Sequence, residues 1–582
     1  MRPYSTPVRL LTLSLGVLLV VTGCASLPGA SSPRVVDEYA PSDPATTVPT
    51  PVPDQEPDLL VRDFLEASAV SDQRHLAARQ FLTERAAQNW DSTESTTIVL
   101  RADLSSVGGR TEDSATYNIR AEQVGSLDSG GIYQVEEEQV DFQIELVRVN
   151  GQWRIDDLPD GVVFERTDFF SNYARRSLYF LDPRGENVVP DPRWTSSFNE
   201  DLAYTLVNML GDGASDDLSA GVTSRVPDTV TARPPEAESE APGETIDFQG
   251  LPALGTRETM EFAAQVVWTL AQAEIPGPYR LERDGTPIDE RFADGWSTDD
   301  VEQLAPDVNR EPMELALTSS DGIVEVSANG PSPADSGWSD VRSGRSGALS
   351  RGGAELAVVT APEDATEHFG DASSLLVGPR EGGPRAVFTA GSLTRPTWGT
   401  ADNVVWTVAD GDEIVRLDVS GPDPDPSTIQ LDQNELFGAP ITDFRVSPSG
   451  VRAALTAGGR VFVTTLSEED GAWSVGRMRE IGPSLDTSVI TVAWLDSSTV
   501  VVGRDSSNAP VVSISLDGGQ VEPMSYRNIG PPVSSIAASG PHIYAVDSRS
   551  LLRLDVTADL SERYWRDVPG LTAIRAEPVV EG

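Results

Sequence analysis

The 582-residue chain contains no lysine; all 43 of its basic side chains are arginine. Without an ε-amine it can form no Schiff base, no Ser-x-x-Lys nucleophile pair and no lysine contact in a phosphate loop. Cysteine occurs once, at Cys24, so no disulfide staples the fold and no Cys-x-x-Cys metal or redox pair exists. Histidine occurs three times, at His75, His368 and His542, in three different parts of the chain. None has a second histidine or a cysteine at metal-ligand spacing, so a transition-metal site is not expected. A Gly-x-Ser-x-Gly elbow is missing as well, and a serine triad would have to recruit an isolated histidine. Positive charge is also scarce: 91 acidic side chains give a formal net charge of -48, a surface that repels nucleic acid and anionic headgroups. Beyond the first two dozen residues there is no apolar run long enough for a transmembrane helix.

What is present starts with a leader. Arg2 and Arg9 precede an apolar stretch from Leu10 to Val21, about 12 residues, which suits a signal-peptide core and is too short to span a bilayer. Its end, Val21-Thr22-Gly23-Cys24, resembles the bacterial lipobox. That resemblance implies cleavage between Gly23 and Cys24 and a diacylglycerol thioether on Cys24, which makes Cys24 the lipid-attachment residue and the cell membrane, on its extracytoplasmic face, the location. An ordinary secretory signal with an incidental cysteine is the alternative. Residues 1–23 are thus expected as signal peptide and 24–57, rich in Pro, Ser, Thr and Asp, as a flexible tether. At about 3.1 Å per residue in a polyproline-like form, the tether reaches at most roughly 100 Å.

Residues 58–167 open with two helical stripes, Leu60-Phe64-Ala67 and Ala78-Phe81-Leu82. His75, on the second, reads as a solvated surface histidine. The period then changes to two: Val140, Phe142, Ile144 and Leu146 alternate with polar residues, Asn150-Gly151 supplies a hairpin turn, and Trp153 and Ile155 continue the apolar face. Helices followed by such a sheet resemble the cone-shaped α+β fold of the nuclear transport factor family, whose cones often enclose a ligand pocket. Residues 168–299 turn to an α/β pattern: a strand over 176–181, a helix face at Leu202, Leu206, Met209 and Leu210, and a second at Met260, Ala263, Val267 and Leu270. With the Gly-rich turn between the helices they resemble the GerMN domain, although the family's usual Gly-Pro is Gly213-Ala214 here. The acidic, Pro-rich run 228–247 reads as a disordered insertion.

From 300 to 582 helical periodicity gives way to recurring short β segments. Units marked by Trp398, Phe444, Trp494 and Ile536 are spaced by about 46, 50 and 42 residues, and an earlier unit starts at Leu349. That period is close to a propeller blade's, and five visible units in a stretch that could hold six or seven predict a C-terminal β-propeller. A pair of β-sandwiches is the alternative. Asp423-Pro424-Asp425-Pro426 lacks the spacing of a calcium loop and reads as a turn. The whole is therefore expected to be multidomain and mainly β.

Lipobox, cone-like domain, GerMN-like domain and propeller, in that order, resemble the LpqB lipoproteins of high-GC Gram-positive bacteria. The resemblance implies a non-enzymatic protein without a cofactor that binds the extracytoplasmic domain of the sensor kinase MtrB. It would thereby adjust MtrA/MtrB two-component signalling in cell-wall and division control. The runner-up is a cell-envelope glycan-binding or hydrolytic protein. No residue in the sequence marks a ligand site.

Overall fold

Alternation at 140–146 produces one long strand that buries one face, and the structure builds the first domain on it. The computed structural model describes residues 48–70, 75–128, 130–234, 243–306, 312–318, 321–327, 329–334, 337–341, 343–361, 372–431 and 433–582. The expected signal peptide, Gly23, Cys24 and most of the expected tether lie outside these residues. Strands β1 (Thr96–Ser106), β2 (Ser114–Leu127), β3 (Tyr133–Val149), β4 (Gln152–Asp157) and β5 (Val162–Glu165) form one sheet in the order β4-β3-β2-β1-β5. Asn150 and Gly151, both at positive φ, make the two-residue turn that joins β3 to β4. Helix α1 (Pro57–Ser68) begins with Pro57, whose missing N–H costs nothing in the first turn, and buries Leu60, Val61, Phe64 and Leu65.

Three expectations need correction here. The second stripe yields a single turn, α2 (Leu76–Arg79), after which Leu82 bridges to Ile155 and Thr83 caps α3 (Glu84–Asn89). Pairing with the sheet edge outcompetes helix continuation at that point. His75 is not a surface residue: it is buried, with its ring 6.3 Å from that of Trp90. The tether does not run free to residue 57, because the Asp54 amide donates to Gln152 Oε1 at 2.7 Å and Arg110 pairs with Glu56 at 2.6 Å.

After a short helix α4 (Arg166–Asn172), the hairpin β6 (Tyr173–Leu181) and β7 (Val188–Ser196) opens the second domain. Helices α5 (Leu202–Asp212) and α7 (Thr256–Gln272), separated by the one-turn α6 (Asp216–Ser219), share its core; Phe262 of α7 meets Phe248 edge-on at 4.8 Å. Gly213 ends α5 at φ +96°, so the turn uses glycine where the departure from Gly-Pro occurs. Strands β8 (Thr231–Arg233) and β9 (Glu244–Gln249) pair with each other, and β9 pairs in parallel with β10 (Tyr279–Arg283). Most of the flanks of the stretch expected as a disordered insertion, 228–247, are therefore sheet; only 235–242 fall outside the described residues. Alternating burial of Ala232, Ile246 and Phe248 holds those flanks in place.

The last domain is a β-propeller with six blades among the described residues, five of four strands and one of five, in which 479–480 pairs beside 460–469. Five of the six are meanders whose inner strands are 344–349, 397–398, 441–446, 489–494 and 535–539. The remaining blade takes three strands from 315–318, 322–327 and 330–333 and its innermost strand from 577–579, so the C-terminal segment closes the ring. Residues 49–582 form a single compact unit in which the propeller also holds the second domain. Val451 joins that domain's core, Arg452 Nη2 donates to Pro190 O at 2.8 Å, and Arg479 pairs with Asp217 at 3.2 Å. Burial pushes Arg452 down to about 10, which still leaves it cationic at neutral pH.

Candidate functional site: a cleft where three domains meet

Trp194 sits near the end of β7 and touches all three domains. Its ring lies 6.2 Å from Tyr133 of the cone, 4.6 Å from Phe169 and 5.7 Å from Phe170 of α4, and its indole N–H donates to Asp517 Oδ2 of the propeller at 2.7 Å. Asp517 in turn accepts from Ser515 Oγ at 2.5 Å and from the Gly519 amide at 3.1 Å through its other oxygen. This buried carboxylate is therefore used on both sides, which is what a charge in such a place needs.

The turn that carries Asp517 approaches closely because it has no side chains to obstruct it. Gly518 is at φ +76°, and a Cβ there would lie 2.6 Å from Val135 Cγ2; at Gly519 it would lie 3.2 Å from Trp194 Cζ2. Tyr133 donates its hydroxyl to Val124 O at 2.9 Å, and burial, reinforced by the Asp517 carboxylate, raises its phenol above the usual range. Tyr133 stays neutral and acts as packing.

Beside this contact opens a cleft of about 740 Å³. Cone strands contribute Glu122, Glu136 and Glu137, α4 contributes Arg166 and Phe170, the β6–β7 hairpin Tyr173, Arg175 and Trp194, and the propeller Gln520 and Glu522. Phe170 is 40% exposed at its edge. Size and mixed lining suit a ligand site.

Two other hollows carry less. The propeller axis leaves only about 40 Å³. It is plugged by Arg395, donating to Ile536 O at 2.9 Å, and by Arg445, paired with Asp443 at 2.7 Å. Burial pushes Arg445 down to about 9, yet it remains charged at neutral pH and is held by Asp443. An open hollow of about 600 Å³ near the start of α7 is ringed by Arg184, Arg225 and Arg257. There Glu261, almost fully buried, already takes Arg225 and Arg257 at 2.6 Å each.

The residues singled out from sequence are not brought together. Gly23, Cys24 and His368 lie outside the described residues, while His75 and His542 belong to different domains, His542 half-buried on a propeller strand beside Tyr544. Among the described residues no group of three or more His, Cys, Asp or Glu is placed to hold a metal ion, and no helix is long and apolar enough to cross a membrane. The cleft itself went unnoticed in the sequence: Trp194 and Asp517 are 323 residues apart, and neither stands in a motif.

Three family models match the chain in order. They are the LpqB N-terminal domain over residues 50–170, a sporulation and spore germination domain over 177–289, and the LpqB β-propeller domain over 309–580. Curated relatives described as Lipoprotein LpqB match over nearly the full length. That of Rhodococcus opacus is 38% identical over 98% of this chain and 97% of its own. The Mycolicibacterium smegmatis protein is 34% identical over 99% of this chain and 100% of its own, and that of Mycobacterium leprae is 33% identical over 98% of each.

Proposed function

Because the chain belongs to the LpqB lipoprotein family, we propose that it is anchored through a diacylglycerol on Cys24 to the outer face of the cell membrane. There it binds the extracytoplasmic domain of the sensor kinase MtrB and modulates MtrA/MtrB signalling. The observation that supports this reading most is the joining of three non-identical domains into one compact unit through Trp194 and Arg452. A body of that kind presents fixed surfaces to a partner. Acylation confines it to the membrane plane and raises its effective concentration beside a membrane-embedded sensor.

The protein acts in this reading as a binding partner, not an enzyme. With no lysine in the chain, and no group of three or more His, Cys, Asp or Glu placed to hold a metal among the described residues, its chemistry favours recognition. The test is Cys24→Ser in cells, read as the phosphorylation level of MtrA. Loss of the wild-type response with a folded, released protein is expected; an unchanged response would remove anchoring from the mechanism.

A further inference from the structure

The three-domain cleft holds charges of both signs that the protein does not neutralise against each other. Glu122, Glu136, Glu137 and Glu522 line it together with Arg166 and Arg175, and no ion pair joins the two sets among the described residues. Glu136 is held by neutral donors, Ser126 Oγ at 2.6 Å and the Gln123 amide. Arg175 is half-buried, and its Nη1 is enclosed without a hydrogen-bond partner. A charged donor kept in that state is costly, and a water, an ion or a ligand group in the cleft can complete it.

Position supports the same conclusion. Arg175 is the direct cross-strand partner of Trp194, and Tyr173 lies two residues before it, so all three share one face of the hairpin. A guanidinium in an aromatic wall is suited to a carboxylate, which it grips through two parallel N–H donors. Opposite in origin are the exposed Glu122 and Glu137 of the cone and Glu522 of the propeller, which favour ammonium groups. Phe170, exposed at the rim, offers a surface for an apolar side chain. Four carboxylates against two guanidiniums select a ligand with more positive than negative charge and reject a polyanion. A cleft of about 740 Å³ falls within the size range of small-ligand sites and has room for a short peptide.

We propose that this cleft binds a short basic peptide with a free carboxylate, the carboxylate on Arg175 and the ammonium groups toward Glu122, Glu137 and Glu522. Such a ligand contacts all three domains at once, and its binding is independent of whether the sensor kinase is a partner. The probe is the tetrapeptide Ala-Phe-Lys-Ala with free termini, titrated calorimetrically into the full chain in detergent micelles. Saturable binding that weakens with added salt is expected. C-terminal amidation of the probe and Arg175→Gln should each weaken binding at least tenfold, and the two together no further than either alone. Arg175→Lys keeps the positive charge and should remain sensitive to amidation, which separates loss of charge from loss of fold. Absence of saturable heat at millimolar peptide, full binding by Arg175→Gln, or indifference to amidation would each overturn the assignment.

Discussion

The Trp194–Asp517 hydrogen bond can be tested by replacing each partner while leaving the surroundings filled. Trp194→Phe keeps an aromatic ring against Phe169, 4.6 Å away, but removes the indole N–H, and Asp517 Oδ2 then loses the donor it has at 2.7 Å. A hydrogen bond to a buried charge contributes about 1.5–3 kcal/mol, and its loss leaves the carboxylate to bear the desolvation cost. Asp517→Ala removes the other partner. A chain of several domains has no single unfolding free energy, so the reading is local: amide hydrogen exchange along β6 and β7, which reports the opening of that hairpin from the propeller. Each single variant should speed exchange there roughly 10- to 150-fold, the kinetic equivalent of that energy. The double variant should go little further, because both changes remove the same interaction. Additive effects, or exchange at the wild-type rate in either single variant, would refute the claim that this bond ties the second domain to the propeller.

Two further outcomes follow from the same region and from α4. Asp168 in α4 is pushed up to about 6 by burial, with the Glu66 and Glu165 carboxylates adding to the effect. Its folded value lies above the unfolded one of about 3.9, so the folded state binds the proton more tightly and stability falls as pH rises from about 4 to 6. Asp168→Asn should therefore stabilise the cone by about 1 kcal/mol at pH 7, after allowance for its partial exposure, and by nothing below pH 4. A thermal melt at both pH values decides it; destabilisation at pH 7 would contradict the assigned cost of burying and crowding that carboxylate. Gly518→Ala places a Cβ 2.6 Å from Val135 Cγ2 at φ +76°, whereas Gly151→Ala meets no atom within 4 Å at φ +80°. The second should cost about 1 kcal/mol of backbone strain alone and the first about 1–3 kcal/mol more. Because the Cβ of Gly518→Ala also lies 2.8 Å from the Ile481 carbonyl oxygen of the propeller, equal melting shifts would mean that the turn is pressed by neither Val135 nor Ile481.

How much of this was legible depended on whether the signal was local. Ile144 and Leu146 announce a strand because alternate side chains along one segment must share a face, and both are buried where the alternation puts them. Helices α5 and α7 were visible for the same reason at the other period. Blades beginning near Phe444 and Trp494 repeat at nearly constant spacing, so the propeller could be anticipated. Its sixth blade could not, since its inner strand, 577–579, pairs with 315–317 from the far end of the domain. His75 looked solvent-facing in an assumed helix, but it precedes a single helical turn at φ +57° and packs against Trp90. The cleft was wholly hidden. Its wall is made when Trp194, in a Pro-rich strand that carries no motif, meets a Gly-Gly turn more than 300 residues away. Long-range contacts of that sort leave no periodic trace in either segment.

Binding between the lipidated full chain and the extracytoplasmic domain of MtrB, measured in one pull-down alongside cell-wall glycan, addresses the account most directly. The account predicts saturable capture of the sensor domain and no retention on glycan. Retention on glycan with no capture of the sensor domain would contradict it.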